Sequence, residues 1–354
     1  LPDVIRFLEG KSTGDVMNQR EETQPDVFRE YALDFADVKG QNDLIEAVVL
    51  AAAGGHNMLM IGEPGCGKTM LAERIPTILP KMTEEESLEV TKIYSISGMV
   101  KDGNTLVTNR PFRAPHHNAS LNALIGGGVN AMPGEVSLAH NGVLFLDELA
   151  EFSRKTLDAL RQPVEDKKVF ISRVNGSHTF PANFMFVAAM NPCRCGYSSE
   201  KCRCTDYEII KYRGKISGPI IDRIDIQKEV HPVAFFDIEN CAQAPSSEEL
   251  RERVANARRI QQRRYMDVED VNVNAQMGTP LMKKYCVLDE ESLQLLKTSC
   301  EKYAYSARVV HKLLRLGRTS ADLDGVENIR KKDIERVLEC RDLDRGNSKM
   351  MVVN

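Results

Sequence analysis

Gly62-Glu63-Pro64-Gly65-Cys66-Gly67-Lys68-Thr69 decides the fold of this chain. Its glycines let backbone N–H groups close on phosphate oxygens, and the helix that follows adds its positive N-terminal end. A short apolar strand, Met58 to Ile61, precedes the loop, and a helical pattern runs from Lys68 to about Leu79. Strand, glycine-rich turn and helix in that order are the context a phosphate-binding loop requires. Lys68 is expected to reach the β- and γ-phosphates and Thr69 to ligate Mg²⁺. Glu63, Pro64, Gly65, Cys66, Gly67 and Met70 are expected to line the nucleotide with them. Cys66 reads as a small filler in the loop, exposed to oxidation at most.

The partner motif is Val143-Leu144-Phe145-Leu146-Asp147-Glu148. An apolar strand delivers two carboxylates to the sheet edge where ligands bind in such folds. Asp147 would hold Mg²⁺ through water, and Glu148 would act as general base on the attacking water. Further strands read at 184–190 and, more weakly, 225–230, and a helix from Gln41 to Ala53 ends at Gly54-Gly55. Strands alternating with helices imply α/β architecture: a parallel sheet with both faces covered. Two stretches interrupt this rhythm. Residues 98–135 are long and rich in Gly, Pro and Asn, and 168–181 reads as a hairpin turning at Asn175-Gly176. Beyond about 245 strand signals stop, so 246–345 reads as a small all-helical domain behind an ATPase domain at 26–245. Residues 11–25 read as a polar linker after a short stub, and 346–354 as a tail. A first residue other than Met suggests a piece of a longer protein.

Bulk properties exclude little else. The net charge of −4 gives no global basic field, so any nucleic-acid site must be a local patch. No apolar run approaches the roughly 18 residues that span a bilayer, and no secretion signal opens the chain. A cytoplasmic protein is expected, with its thiols reduced. Four of the nine cysteines crowd together as Cys193, Cys195, Cys202 and Cys204. Four thiolates on a short loop can close a tetrahedral Zn²⁺ site; free thiols and an oxidised pair are the alternatives. Adjacent His116 and His117 should point apart in an extended chain, which argues against one shared metal. Arg251, Arg253, Arg258, Arg259, Arg263 and Arg264 lie on a helix with Val254, Ala257 and Ile260 inward, and read as a solvated face.

Three polar residues carry a choice. Asn191, after the strand at 186–190, could bond the γ-phosphate and the water, or be a turn residue before Pro192. Arg223 could stabilise the transition state on a neighbour's ATP, or form a surface pair with an aspartate. Arg308 follows a plausible helix cap, Ser306, and could reach the γ-phosphate or simply face solvent.

The longer motifs carry a resemblance. Arg110-Pro111-Phe112-Arg113-Ala114-Pro115-His116-His117, Gly126-Gly127-Gly128 and the run from Pro133 to Gly142 resemble the magnesium-chelatase-like clade of AAA+ ATPases. Asn191-Pro192-Cys193-x-Cys195-Gly196, the Ser217-to-Asp225 segment and the stretches Tyr305-to-Arg308 and Arg318-to-Leu323 fit its ComM/YifB branch, so the resemblance covers about 26–345. It implies an αβα sandwich followed by a helical lid. It implies ATP and Mg²⁺ as cofactors, Asn191 as sensor 1, Arg223 as arginine finger and Arg308 as sensor 2. Val38, Gly40 and Gln41 match the segment that lines the adenine pocket. A finger acting in trans implies a ring, a homohexamer in this family.

The resemblance further implies a DNA branch-migration helicase used in natural transformation. The insert at 98–135 and the hairpin would project into the ring pore, with Lys167, Lys168, Arg173, Asn175 and His178 as candidate DNA contacts or, alternatively, a solvated face. Family members carry a Lon-like domain upstream, whose end the stub Leu1–Gly10 resembles. The competing readings are a magnesium-chelatase motor subunit that remodels a partner protein, and a nucleotide-dependent switch with negligible turnover.

Overall fold

The computed structural model of the chain describes residues 32–100, 106–128, 130–173, 176–198, 201–232 and 244–345. The expected stub, linker and tail, and Asn175 of the hairpin turn, lie outside the described residues.

Besides a two-residue antiparallel pair, Gly126–Gly127 with Met132–Pro133, the described strands are β1 (Met58–Gly62), β2 (Phe112–Arg113), β3 (Val143–Leu146), β4 (Lys168–Arg173), β5 (Gly176–Pro181), β6 (Met185–Met190) and β7 (Ile226–Val230). Five of them form one sheet in the order β2-β3-β6-β1-β7, and every pairing in it is parallel. Parallel strands need covered faces, and the side-chain alternation shows how both are covered. Met58, Met60, Val143, Phe145, Val187 and Ala189 point into one apolar cluster, while Leu59, Ile61, Leu144, Leu146, Phe186 and Ala188 point into another.

The first cluster also holds α1 (Asn42–Gly54), α2 (Lys68–Ile78) and residues of the C-terminal helices. Gly55 ends α1 in the left-handed conformation (φ 69°), as a C-terminal glycine does. A further helix, α3 (Glu84–Ile96), begins at a capping box in which Thr83 and Glu86 satisfy each other's backbone N–H.

One part of the stretch 98–135 belongs to the sheet. Phe112 and Arg113 pair with Val143 and Leu144 as the edge strand β2. The expected insert is therefore interrupted by a strand too short to leave a period-two signal. β4 and β5 form the expected antiparallel hairpin, with Arg173 opposite Gly176. It is anchored by Val169, Ile171 and Phe180, which enter the second cluster.

From Ser247 the described chain is mainly helical: α4 (Ser247–Tyr265), α5 (Glu290–Tyr303), α6 (Ala307–Leu323) and α7 (Lys331–Glu339). Their apolar faces join the first cluster through Leu250, Val254, Leu296, Leu313, Leu316 and Ile334. The arginines of α4 correct the expectation of a solvated face. Arg251 donates to the Thr77 carbonyl at 2.7 Å and Arg258 to the Ala52 carbonyl at 2.7 Å. Arg253 forks onto Glu46 at 2.8 and 2.9 Å. Arg264 pairs with the buried Asp322. Only Arg259 and Arg263 of the six are exposed. A helix end has orphan carbonyls to satisfy, and guanidinium groups reaching back over α1 and α2 supply the donors.

Candidate nucleotide-binding and hydrolysis site

β1, β6 and β3 are neighbours and parallel, so their C-terminal ends meet at one edge of the sheet. The phosphate loop leaves β1 there, Asn191 leaves β6, and Asp147-Glu148 leave β3. Gly65 (φ 77°) and Gly67 (φ 88°) hold left-handed conformations that aim the loop's backbone at a bound anion. Lys68, buried in the loop, donates from Nζ to the Gly62 and Glu63 carbonyls at 2.7 and 2.8 Å. Asn191 Oδ1 lies 3.4 Å from the same Nζ. Thr69 Oγ1 donates to Asp147 Oδ2 at 2.7 Å, which brings the two expected Mg²⁺ ligands together although 78 residues separate them. Asp147 Oδ1 also accepts the Glu148 N–H at 2.8 Å, and Glu148 takes up a left-handed φ of 50°. The two carboxylates meet different partners, Asp147 the Thr69 hydroxyl and Glu148 the His117 ring.

The Glu148 carboxylate meets a residue that the motif reading left without a role. Its Oε2 lies 3.2 Å from His117 Nδ1. β2 runs beside β3, so the chain leaving β2 arrives at the edge where Glu148 stands. The order of the two strands was the missing information. His116 and His117 also depart from expectation: the chain turns at 117–118, and the rings lie 4.1 Å apart, tilted by 33°.

The segment expected to line the adenine is held by its own contacts. Val38 is fully buried, Gly40 has φ 68°, and Gln41 Nε2 donates to the His231 carbonyl at 2.8 Å. Met70 packs against the first apolar cluster, and Cys66 is buried.

The two arginines are held elsewhere. Arg223 donates to the Pro219 carbonyl at 2.7 Å, to the Arg161 carbonyl at 3.1 Å and to the Glu165 carboxylate, not to the phosphate loop. Arg308, at the start of α6, lies 3.2 Å from Asp222. Both segments are tied together beneath this pair. Lys312 Nζ donates to the Ile224 carbonyl at 2.9 Å, and His56 bridges Asp225 (3.2 Å) and Thr319 (2.9 Å).

Among the candidate DNA contacts, Lys168 and His178 are exposed on the hairpin. Lys167 is not on that face. It turns inward over the Phe184 ring, 5.7 Å from its centroid, and burial pushes its amine down to about 8. The other conspicuous motif residues brace the sheet edge. Arg113 forks onto Glu135 at 2.6 and 2.8 Å, and Arg110 joins the Asn141 carbonyl (2.7 Å) to Glu86 (2.9 Å).

Comparison with known proteins assigns the family. Residues 34–238 match the family model described as magnesium chelatase, subunit ChlI, and residues 244–341 match that of its C-terminal region. The chain is 40% identical to the uncharacterized protein YifB of Escherichia coli, over 98% of this chain and 67% of that protein. It is 40% identical to the competence protein ComM of Haemophilus influenzae, over 93% of this chain and 64% of that protein. An uncharacterized protein of Mycobacterium tuberculosis is 41% identical over 86% of this chain and 60% of its own length. The chain belongs to the ComM/YifB family of magnesium-chelatase-like AAA+ proteins. It spans about two thirds of the length of these relatives. Membership, the parallel five-stranded sheet and the C-terminal helices make it an AAA+ ATPase module. Among the described residues no helix is long and apolar enough to cross a membrane.

Proposed function

We propose that the chain binds ATP with Mg²⁺ at residues 62–70 and hydrolyses it as the motor of a homohexameric ring working on single-stranded or branched DNA. The observation that carries the reading is the meeting of Thr69 with Asp147 beside Lys68, with Glu148 next to Asp147 in the chain and held by His117. Thr69 and Asp147 would hold Mg²⁺, which would supply charge neutralisation at the phosphates, and Lys68 would exchange the loop carbonyls for phosphate. Glu148 takes the proton of the attacking water, and Asn191 orients that water against the γ-phosphate. Val38, Gly40 and Gln41 border the base.

Arg223 acts on the neighbouring subunit's ATP. Its hydrogen-bond partners among the described residues, Glu165 and the 161 and 219 carbonyls, do not include its own phosphate loop, which is compatible with that role. Arg308 serves its own subunit's γ-phosphate from the lid. The hairpin β4–β5 lines the ring pore, with Lys168, Arg173 and His178 as its DNA contacts, Lys168 and Arg173 supplying local positive charge on a mildly acidic chain. The DNA assignment is supported by the similarity to a competence protein. A structural zinc on the four clustered cysteines and a cytoplasmic setting complete the reading.

Steady-state ATP hydrolysis by the full-length protein, with no DNA, single-stranded DNA and a branched junction, tests it. Stimulation by DNA that weakens with added salt is expected. A DNA-insensitive ATPase that is stimulated instead by a chelatase partner subunit would favour the remodelling role, and negligible turnover in an assembled ring would favour the switch.

A further inference from the structure

The four clustered thiols sit on the segment that begins immediately after Asn191-Pro192. Cys193 Sγ lies 3.1 Å from Cys195 Sγ and 3.6 Å from Cys202 Sγ, and Cys195 and Cys202 are 3.7 Å apart. All four sulfurs, Cys204 included, fall within 4.8 Å of one another. A tetrahedron with metal–sulfur arms of about 2.3 Å has edges of about 3.8 Å, whereas a disulfide brings two sulfurs to about 2.05 Å. The arrangement therefore suits one shared ion, and thiolates select zinc over the hard Mg²⁺ used at the phosphates.

The residues between the two cysteine pairs grip the phosphate loop. Ser198 donates to Glu63 Oε1 twice, from its backbone N–H at 3.1 Å and from its hydroxyl at 3.3 Å. Gly196 lies in the left-handed region (φ 94°), and a Cβ added there would come within 3.0 Å of the Pro64 ring. At the head of the segment, Asn191 touches Lys68. Behind it, Arg213 Nε fixes the Pro192 carbonyl at 3.0 Å. Glu63 and Pro64 belong to the phosphate loop, so the cysteine segment bonds that loop at Glu63 and closely approaches it at Pro64, while Asn191, just before the segment, reaches Lys68.

We propose that zinc bound by Cys193, Cys195, Cys202 and Cys204 clamps the phosphate loop through Ser198–Glu63 and Gly196–Pro64, so that metal occupancy sets nucleotide affinity. The proposal rests on residues 62–69 being the ATP site. The physical ground is conformational entropy. The described residues of this short polar segment form neither helix nor strand, so little backbone pairing holds them, and a tetrathiolate ion would remove their freedom before nucleotide arrives. Glu63 and Ser198 are positioning residues here, since neither has to touch phosphate for the effect.

The test uses the purified full-length protein in reducing buffer. Zinc per chain is measured by thiol-reactive release with a colorimetric dye. ATP affinity is measured by calorimetry in the presence of Mg²⁺ for protein as isolated, stripped of zinc, and reloaded with zinc. One zinc per chain is expected, with ATP affinity falling on the order of tenfold on stripping and returning with zinc but not with extra Mg²⁺. Ser198→Pro, which removes both donors to Glu63 from outside the ATP site, should keep its zinc and reproduce the loss, which decides the matter even if stripped protein unfolds. Absence of zinc, or unchanged affinity in both stripped protein and Ser198→Pro, overturns the clamp and leaves the ATP site standing. Failure of the zinc-loaded protein to bind ATP at all would instead overturn the nucleotide reading on which the clamp rests.

Discussion

Arg308 and Asp222 face each other at 3.2 Å, and Asp222 is the residue immediately before Arg223. The lid arginine expected to sense one ATP thus rests on the turn that carries the arginine expected to serve another. The pair is open to water: the Arg308 side chain is 81% exposed and Asp222 45%. An ion pair this exposed contributes about 0–1 kcal/mol. Asp222→Asn should leave the melting temperature nearly unchanged. Arg308→Ala should cut ATP turnover by at least about tenfold, as loss of a charge aimed at the transition state does. Turnover of purified variants checks both; a strongly destabilised Asp222→Asn would show that the pair does structural work.

Glu148 and Lys68 should separate binding from chemistry. Glu148→Gln keeps the shape of the site but removes the base, so ATP should still bind while turnover falls by about 10²- to 10⁴-fold. Lys68→Ala should weaken binding itself. Calorimetry and phosphate release, measured on the same preparations, distinguish the two. Normal turnover in Glu148→Gln would remove it from the mechanism.

Phe170 is 57% exposed on β4, between the buried Val169 and Ile171. If the hairpin lines a DNA path as proposed, an aromatic ring on its exposed face can stack on a base, a contact worth about 1–3 kcal/mol. Phe170→Ala should therefore weaken DNA binding by roughly tenfold or more and reduce DNA-stimulated turnover. Basal turnover and melting temperature should hold, because the ring supports no core. Full stimulation in the variant would place the DNA path elsewhere.

His140 predicts a pH dependence of stability. Its Nδ1 accepts the Asn183 N–H at 3.0 Å and its Nε2 meets Glu89 at 2.9 Å, an arrangement that suits the neutral ring. Burial holds its pKa below the ordinary 6.5, against the pull of the Glu89 carboxylate. As pH falls through 6.5 the unfolded chain takes up a proton that the folded chain refuses, so stability drops. Melts between about pH 7.5 and pH 5.5 should show a steeper fall for the wild type than for His140→Asn. Parallel slopes would contradict this.

Much of the nucleotide edge was legible because β1, β3 and β6 are continuous apolar runs, the mark of strands buried on both faces. β2 was not, since two residues carry no period and its place depends on pairing with β3. The same pairing brings His117 to Glu148, a contact that no local pattern announces. The arginines of α4 and Lys167 misled for a related reason. A charged residue on a helix or turn reads as solvated unless the backbone carbonyls it will satisfy are known, and those lie at Ala52, Thr77 and Phe184.

In the proposed ring, each ATP is hydrolysed by Glu148 of one subunit and Arg223 of the next. Mixing two inactive full-length variants, Glu148→Gln and Arg223→Ala, tests it most directly. Steady-state ATP hydrolysis of the mixture should rise well above that of either variant alone, because a subunit with intact Glu148 then sits beside one with intact Arg223. A mixture as inactive as its components, under conditions where the ring is assembled, or an Arg223→Ala variant as active as wild type, would contradict the account.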